Sequence, residues 1–177
     1  MELSEEQLVT ASRGGDRKAY AGLVRRHLRR VFAVCLGLLG DPDEAEDLTQ
    51  ETFLKGLARL PDLRDDERFE AWIVRIAQNL CRDHRRAGDR RRRLLEVGSA
   101  ELITPPDAPS SAFDDLHTAL ERLEPEHRLP LMLYYFDGHS AAGVARVLEI
   151  SEAGAFTRLS RARRALRCLL EAGTGGS

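Results

Sequence analysis

From Tyr20 to Leu169 apolar residues return at intervals of three and four, and this periodicity limits what the chain can fold into more than any other feature. Tyr20, Leu23, Val24, His27, Leu28, Val31, Phe32, Cys35 and Leu36 make one stripe, and Ala45, Leu48, Thr52, Phe53 and Leu57 a second. A third holds Phe69, Trp72, Ile73, Ile76, Ala77, Leu80 and Cys81. Each stripe gives a helix one face to bury. No segment alternates with the period of two that a half-buried strand needs, so the expected fold class is all-α. Gly40-Asp41-Pro42 stops one helix and starts the next, and Pro61 to Asp66 separates the second from the third. A shorter helix from about Ser4 to Ser12 ends at Gly14-Gly15.

The pattern lapses between Gly88 and Ser111, where an Arg-rich run gives way to "GSAELITPPDAPSS". Three prolines among small residues do not make a packed helix, and the length of the gap predicts two small helical domains that fold separately, joined by a flexible linker. The expected division is 1–87, linker 88–112, 113–172 and a disordered tail over 173–177. Helical spacing resumes at Phe113, Leu116, Leu120 and Leu123 and runs through "RLPLMLYYF" despite Pro130. After Asp137-Gly138, Val144, Ala145 and Leu148 predict a short helix and Ile150 fills a turn. Phe156, Leu159, Ala162, Leu166 and Leu169 then predict a last helix.

Charged residues make up 32% of the 177, yet they nearly cancel to a net charge of -2, so total charge does not announce a nucleic-acid partner. Their placement says more. Arg82, Arg85, Arg86 and Arg90 to Arg93 form a basic pole, while Asp41, Asp43, Glu44, Glu46, Asp47 and Glu51 form an acidic one. Cys35, Cys81 and Cys168 are far apart and form no C-x-x-C pair, which predicts buried, reduced thiols rather than a disulfide framework or a zinc site. The start "MELSEEQLV" has no basic leader before an apolar core, and no window approaches 18 apolar residues, so a cytoplasmic protein without membrane insertion is expected. The five histidines are scattered and no glycine-rich phosphate loop is present. No catalytic residues, metal or cofactor are expected.

"LEISEAGAFTRLSRAR", residues 148 to 163, has the outline of a helix, a tight turn and a helix carrying arginines. Taken alone it fits two readings, a DNA reader and ordinary bundle packing. Its surroundings separate them. "DEAEDLTQETF" and "FEAWIVRIAQNLCRDHRR", then the linker, then "LERLEPEHRLPLMLYYFDGHS" and "RLSRARRAL" resemble in order the small two-domain sigma factors of the extracytoplasmic-function type. The resemblance covers nearly the whole chain.

That resemblance implies an alternative sigma factor that binds core RNA polymerase, recognises and melts promoter DNA, and is held inactive by an anti-sigma partner. Polymerase docking falls on Asp47, Gln50, Glu51, Phe53 and Leu54; Asp47, Gln50 and Leu54 share a helical stripe, whereas Asp43 and Glu44 serve the helix N-terminus. Downstream-element reading falls on Arg64, Arg68, Arg75, Asn79, Arg82, Asp83 and Arg86, with the loop from Leu63 to Arg68 lining the pocket for a flipped base. Asp83 could instead pair within its helix to Arg82 or Arg86. Upstream-element reading falls on Ser151, Glu152, Thr157, Arg158, Arg161 and Arg163. Several residues here depart from the family pattern: Gly143 for a glutamate, Glu149 for the turn glycine, Gly154 for threonine, Ala155 for valine and Phe156 for lysine. A non-glycine residue in a left-handed turn costs on the order of 1 kcal/mol. Two other classes remain as alternatives: an operator-binding helix-turn-helix regulator, and a sigma-derived interaction protein that does not itself initiate transcription.

Overall fold

The computed structural model describes residues 3–64, 68–95 and 112–174, and within them the regular structure is helical throughout. α1 (Glu5–Arg13), α2 (Arg17–Leu39), α3 (Pro42–Arg59) and α4 (Phe69–Leu95) form the first module, with a 3₁₀ turn at Leu60–Asp62. α5 (Ala112–Arg122), α6 (Pro125–Leu131), α7 (Ala141–Val147) and α8 (Glu152–Thr174) form the second, and a π-helical turn over Met132–Phe136 prolongs α6.

Local chemistry sets the helix ends. Ser4 and Gln7 make a reciprocal capping box on α1, Asp16 accepts from the backbone of Lys18 and Ala19, and Asp41 caps α3 just before Pro42. Gly40 ends α2 in the left-handed conformation. Two boundaries differ from expectation. α4 continues to Leu95, because arginine is a good helix former and one Gly88 is tolerated inside a long helix; α8 continues to Thr174. The remainder of the expected linker, residues 96–111, and the tail from 175 lie outside the described residues.

α2 runs through the centre of the first module, with Leu23, Val31, Val34 and Cys35 fully enclosed by α3 and α4. The hydroxyl of Tyr20 donates to the carbonyl of Phe53 at 2.5 Å, and burial pushes its pKa far up. Cys35 and Cys81, 46 residues apart in sequence, are hydrogen-bonded neighbours in this core. The Cys35 contact and burial together push the Cys81 thiol up, so it stays protonated. Cys168 corrects the expectation of three buried thiols: it is exposed on α8.

The second module does not stand apart. α6 lies against α2 so closely that a Cβ on Gly37 would sit 2.7 Å from Leu129 Cα. Arg128, 3% exposed, crosses this contact. Its Nε donates to Gly37 O at 3.2 Å and Nη2 reaches Leu38 O at 3.5 Å, while Nη1 donates to the carbonyls of Leu120, Glu121 and Leu123 at 2.9–3.0 Å. One guanidinium thus satisfies orphan carbonyls at the C-termini of both α2 and α5. Burial lowers its pKa, aided by Arg85 and opposed by Glu124 and Glu121. Nearby, Arg30 bridges Glu70 on α4 at 2.6 Å and Asp137 at 3.0 Å. Arg29 donates to Phe136 O, and Phe32 packs on the Phe136 ring at 5.4 Å.

Two histidines with largely enclosed side chains make this packing sensitive to acid. His27 Nε2 bonds Glu5 at 2.9 Å while its buried Nδ1 has no partner; burial lowers its pKa, with Glu5 opposing. His139 Nε2 lies 2.8 Å from Asp137 Oδ2, off the angle for a hydrogen bond, and burial followed by Arg30 lowers its pKa, with Asp137 opposing. Both fall below the ordinary 6.5, so the unfolded chain binds protons that the folded chain refuses. Their contribution to stability is complete above pH 6.5 and is lost as the pH falls toward the folded values. The urea midpoint should therefore fall between about pH 7 and 5, and His27→Gln should flatten that slope.

Candidate functional site

Three surfaces carry the residues singled out from the sequence. On α3 the inner face is Ala45, Leu48, Thr49, Thr52, Phe53 and Gly56. Asp47, Gln50 and Leu54 lie on the opposite side, with Leu54 69% exposed, and Glu51 at its edge pairs with Lys55 at 2.7 Å. Phe53 corrects the docking set: it is 6% exposed and belongs to the core, because it follows the buried Thr49 by four residues on the inner face of α3. Leu57, placed in the core by spacing, is 42% exposed and lines a shallow cleft with Arg17, Tyr20, Val24 and Arg25. The outer face therefore offers an exposed Leu54 beside the carboxylates of Asp47 and Glu51, with Leu57 at the edge of the arginine-lined cleft. A basic helix with an apolar stripe is complementary to it.

The second surface is the outer side of α4. Ile73, Ile76, Ala77 and Cys81 face inward, with Trp72 and Leu80 half-buried beside them; Asn79, Arg82, Asp83 and Arg86 are exposed. Arg82 Nη1 donates to Asn79 Oδ1 at 2.8 Å, which orients the amide. Arg82, Arg85 and Arg86 line a basic hollow with Leu38, Gln78 and Asp89. Leu63 is buried and Arg64 and Arg68 are exposed, while residues 65–67 of the expected pocket loop lie outside the described residues.

The third surface is the helix-turn-helix, α7 and α8. Ser140 caps α7 by accepting from Gly143 N, and Ser151 caps α8 by accepting from Gly154 N at 3.1 Å. The two unusual glycines have packing reasons. A Cβ on Gly143 would lie 2.5 Å from His139 Nδ1, and one on Gly154 would lie 3.2 Å from the capping Ser151 Oγ. Among the described residues Glu149 is the one non-glycine with positive φ, at 54°, in the left-handed conformation the turn demands. It lines a groove with Arg68 just before α4, Glu70, Val74 and Arg75 of α4, and Arg146 and Val147 of α7, so arginines expected to read DNA gather around it.

α8 buries Ala155, Leu159 and Ala162. Phe156 corrects the stripe drawn from spacing: it stands about 100° around the helix from Ala155 and is 59% exposed. Glu152, Thr157, Arg158 and Arg161 are exposed as well. Arg163 is exposed but engaged, its Nε donating to Tyr135 Oη at 2.9 Å and its guanidinium lying over the Tyr134 and Tyr135 rings at 5.2 and 5.5 Å. Among the described residues no group of three His, Cys, Asp or Glu side chains is arranged to hold a metal, and no helix is long and apolar enough to cross a membrane.

A helical module with exposed leucine and carboxylates on α3 and an arginine-bearing α4, followed by a helix-turn-helix, is the architecture of the sigma-70 class. Residues 23–91 match the family described as Sigma-70 region 2, and residues 113–166 match the one described as Sigma-70, region 4. The chain is 34% identical over 168 residues to SigL of Mycobacterium tuberculosis, an ECF RNA polymerase sigma factor, covering 89% of this chain and 94% of that protein. It is 35% identical over 164 residues to RfaY of Xanthomonas campestris, a probable RNA polymerase sigma factor, covering 86% of this chain but 40% of that longer protein. Its fold is similar to that of CnrH, solved in complex with the cytosolic domain of CnrY, with a TM-score of 0.64 and 27% identity over 95% of this chain and 97% of that one. The chain belongs to the extracytoplasmic-function family of RNA polymerase sigma factors.

Proposed function

We propose that this protein is an alternative sigma factor of the cytoplasm: it binds core RNA polymerase, directs it to promoters, assists melting and leaves, with no active site of its own. The observation that carries this reading is the exposed Leu54 beside Asp47 and Glu51 on α3, in a chain that also presents the α4 and α8 arginines. Asp47, Gln50, Glu51 and Leu54 hold the polymerase. Asn79, Asp83 and Arg86 receive a base flipped from the opening duplex, and Arg64, Arg68, Arg75 and Arg82 hold phosphates beside it; contacts to the extruded base offset an unstacking cost of a few kcal/mol. Arg158 and Arg161 steady α8 on the upstream element, with Glu152 and Thr157 near the base edges. Ser151 contributes its backbone, since its hydroxyl is committed to the cap. An anti-sigma partner that covers these faces would hold the protein inactive, in keeping with the CnrY-bound state in which CnrH was solved. The nearly balanced charge leaves the free protein a weak DNA binder, so specific recognition belongs to the polymerase complex.

Transcription with purified core polymerase on a pool of promoter fragments tests the reading. The wild type should yield transcripts from a subset of fragments, and Asn79→Ala and Arg158→Ala should each reduce them by about tenfold, the loss of one or two good contacts. Absence of transcript from every fragment would overturn initiation and favour an interaction protein of sigma ancestry, for which the strained Glu149 in its arginine-lined groove is the supporting observation.

A further inference from the structure

The start of α8, from its cap at Ser151 to Thr157, offers few free side-chain hydrogen-bonding groups. Ser151 Oγ is occupied by Gly154 N. Thr157 Oγ1 donates back to Ala153 O at 3.0 Å, which leaves its methyl as the group available to a partner. Ala153, Phe156 and Thr157 are all exposed, and they lie within about 100° of one another on the side of α8 away from Ala155, Leu159 and Ala162. Phe156 is the large member of this patch and makes no ring contact among the described residues. Glu152, one turn before Phe156, is the polar exception and can only accept when ionised.

A single exposed apolar side chain needs no explanation, but this patch has a frame that selects its occupant. Arg158, Arg161 and Arg164 are exposed around it, so a partner that meets the patch must also bring negative charge. Among base edges in a major groove, thymine alone offers an apolar group, its C5 methyl, beside phosphates that arginines can hold. Cytosine offers an amino donor that suits the Glu152 carboxylate.

We propose that Phe156, with the methyls of Ala153 and Thr157, is the specificity-determining contact of the upstream element, and that it selects thymine by its C5 methyl. The proposal deepens the reading of the second module as the upstream reader and rests on it. Where the family pattern has a lysine, Phe156 offers a shape contact to a base. Affinity is exchanged for a preference that salt does not screen.

Uracil in place of thymine removes the C5 methyl and leaves the hydrogen-bond code intact, which makes it the direct probe. On a fragment that the holoenzyme transcribes, each upstream thymine is replaced by uracil in turn, and open-complex formation is measured for wild type, Phe156→Ala, Phe156→Lys and Arg158→Ala. One or two replacements should weaken wild-type complexes by about three- to fivefold each, the worth of a buried methyl. The same replacements should have a much smaller effect on Phe156→Ala, and Phe156→Lys should instead steepen the dependence on salt by about one unit of slope. If no uracil replacement matters while Arg158→Ala still weakens the complex, methyl reading is overturned and upstream binding stands. If neither matters, the upstream reader itself is lost, and this proposal with it.

Discussion

Arg128→Ala should destabilise the protein by about 3 kcal/mol and lower its thermal midpoint by roughly 10 °C, the largest loss expected from any one charged residue here. The guanidinium is almost wholly buried and reaches five backbone carbonyls, two at the end of α2 and three at the end of α5. Removing it leaves these acceptors facing one another across a cavity, each at a cost of about 1 kcal/mol or more where water does not reach. Arg128→Lys keeps the charge but not the fork, and should recover less than half of the loss. Because α6 is seated on α2 at this point, the Ala variant should also show a larger radius of gyration by small-angle scattering. A thermal shift below about 2 °C would mean that water caps the two helix ends just as well.

Neighbouring residues on α3 should fail in opposite ways. Leu54→Lys places a cation on the outer face, to which a basic helix is complementary, and should weaken holoenzyme formation by about tenfold or more, the scale of an interface hot spot. Stability should stay within about 0.5 kcal/mol, since the side chain is 69% exposed. Phe53→Ala, one residue earlier but 6% exposed, should cost about 3–5 kcal/mol of stability. Its effect on docking should then follow the folded fraction alone. Core-polymerase affinity and urea denaturation, measured on both variants, separate the two roles. Equal affinity for Leu54→Lys and wild type would remove α3 as the docking helix.

How much of this was legible without coordinates depends on the range of the interaction. Helix ends are local, and Gly14-Gly15 and Gly40-Asp41-Pro42 were readable where they stand because caps act within four residues, although Asp16, which caps α2, was not singled out. Apolar spacing was a coarser guide. It placed Phe53 on the face to be buried, where it is, while the family resemblance placed it in the docking set, and it counted Leu57 and Phe156 as packing when both are exposed. Periodicity tells which residues share a face of a helix, but a helix with two apolar flanks needs a neighbour to decide which one is covered. No local signal marked Arg128. An arginine inside "HRLPLML" was the only hint, and its five acceptors include two about 90 residues away.

By itself the sequence determined the helical class, the order of the two modules, the helix-turn-helix and the motif "DEAEDLTQETF" through which the family is recognised. All of these are carried by residues close together in the chain. Tertiary structure alone decided that Cys35 meets Cys81, that Gly143 makes room for His139, that Phe156 stands outward, and that Glu149 sits among Arg68, Arg75 and Arg146. Each of these depends on which helix faces are covered and which side chains long-range packing brings into contact, and burial and the nearness of charge exist only once the chain has folded back on itself.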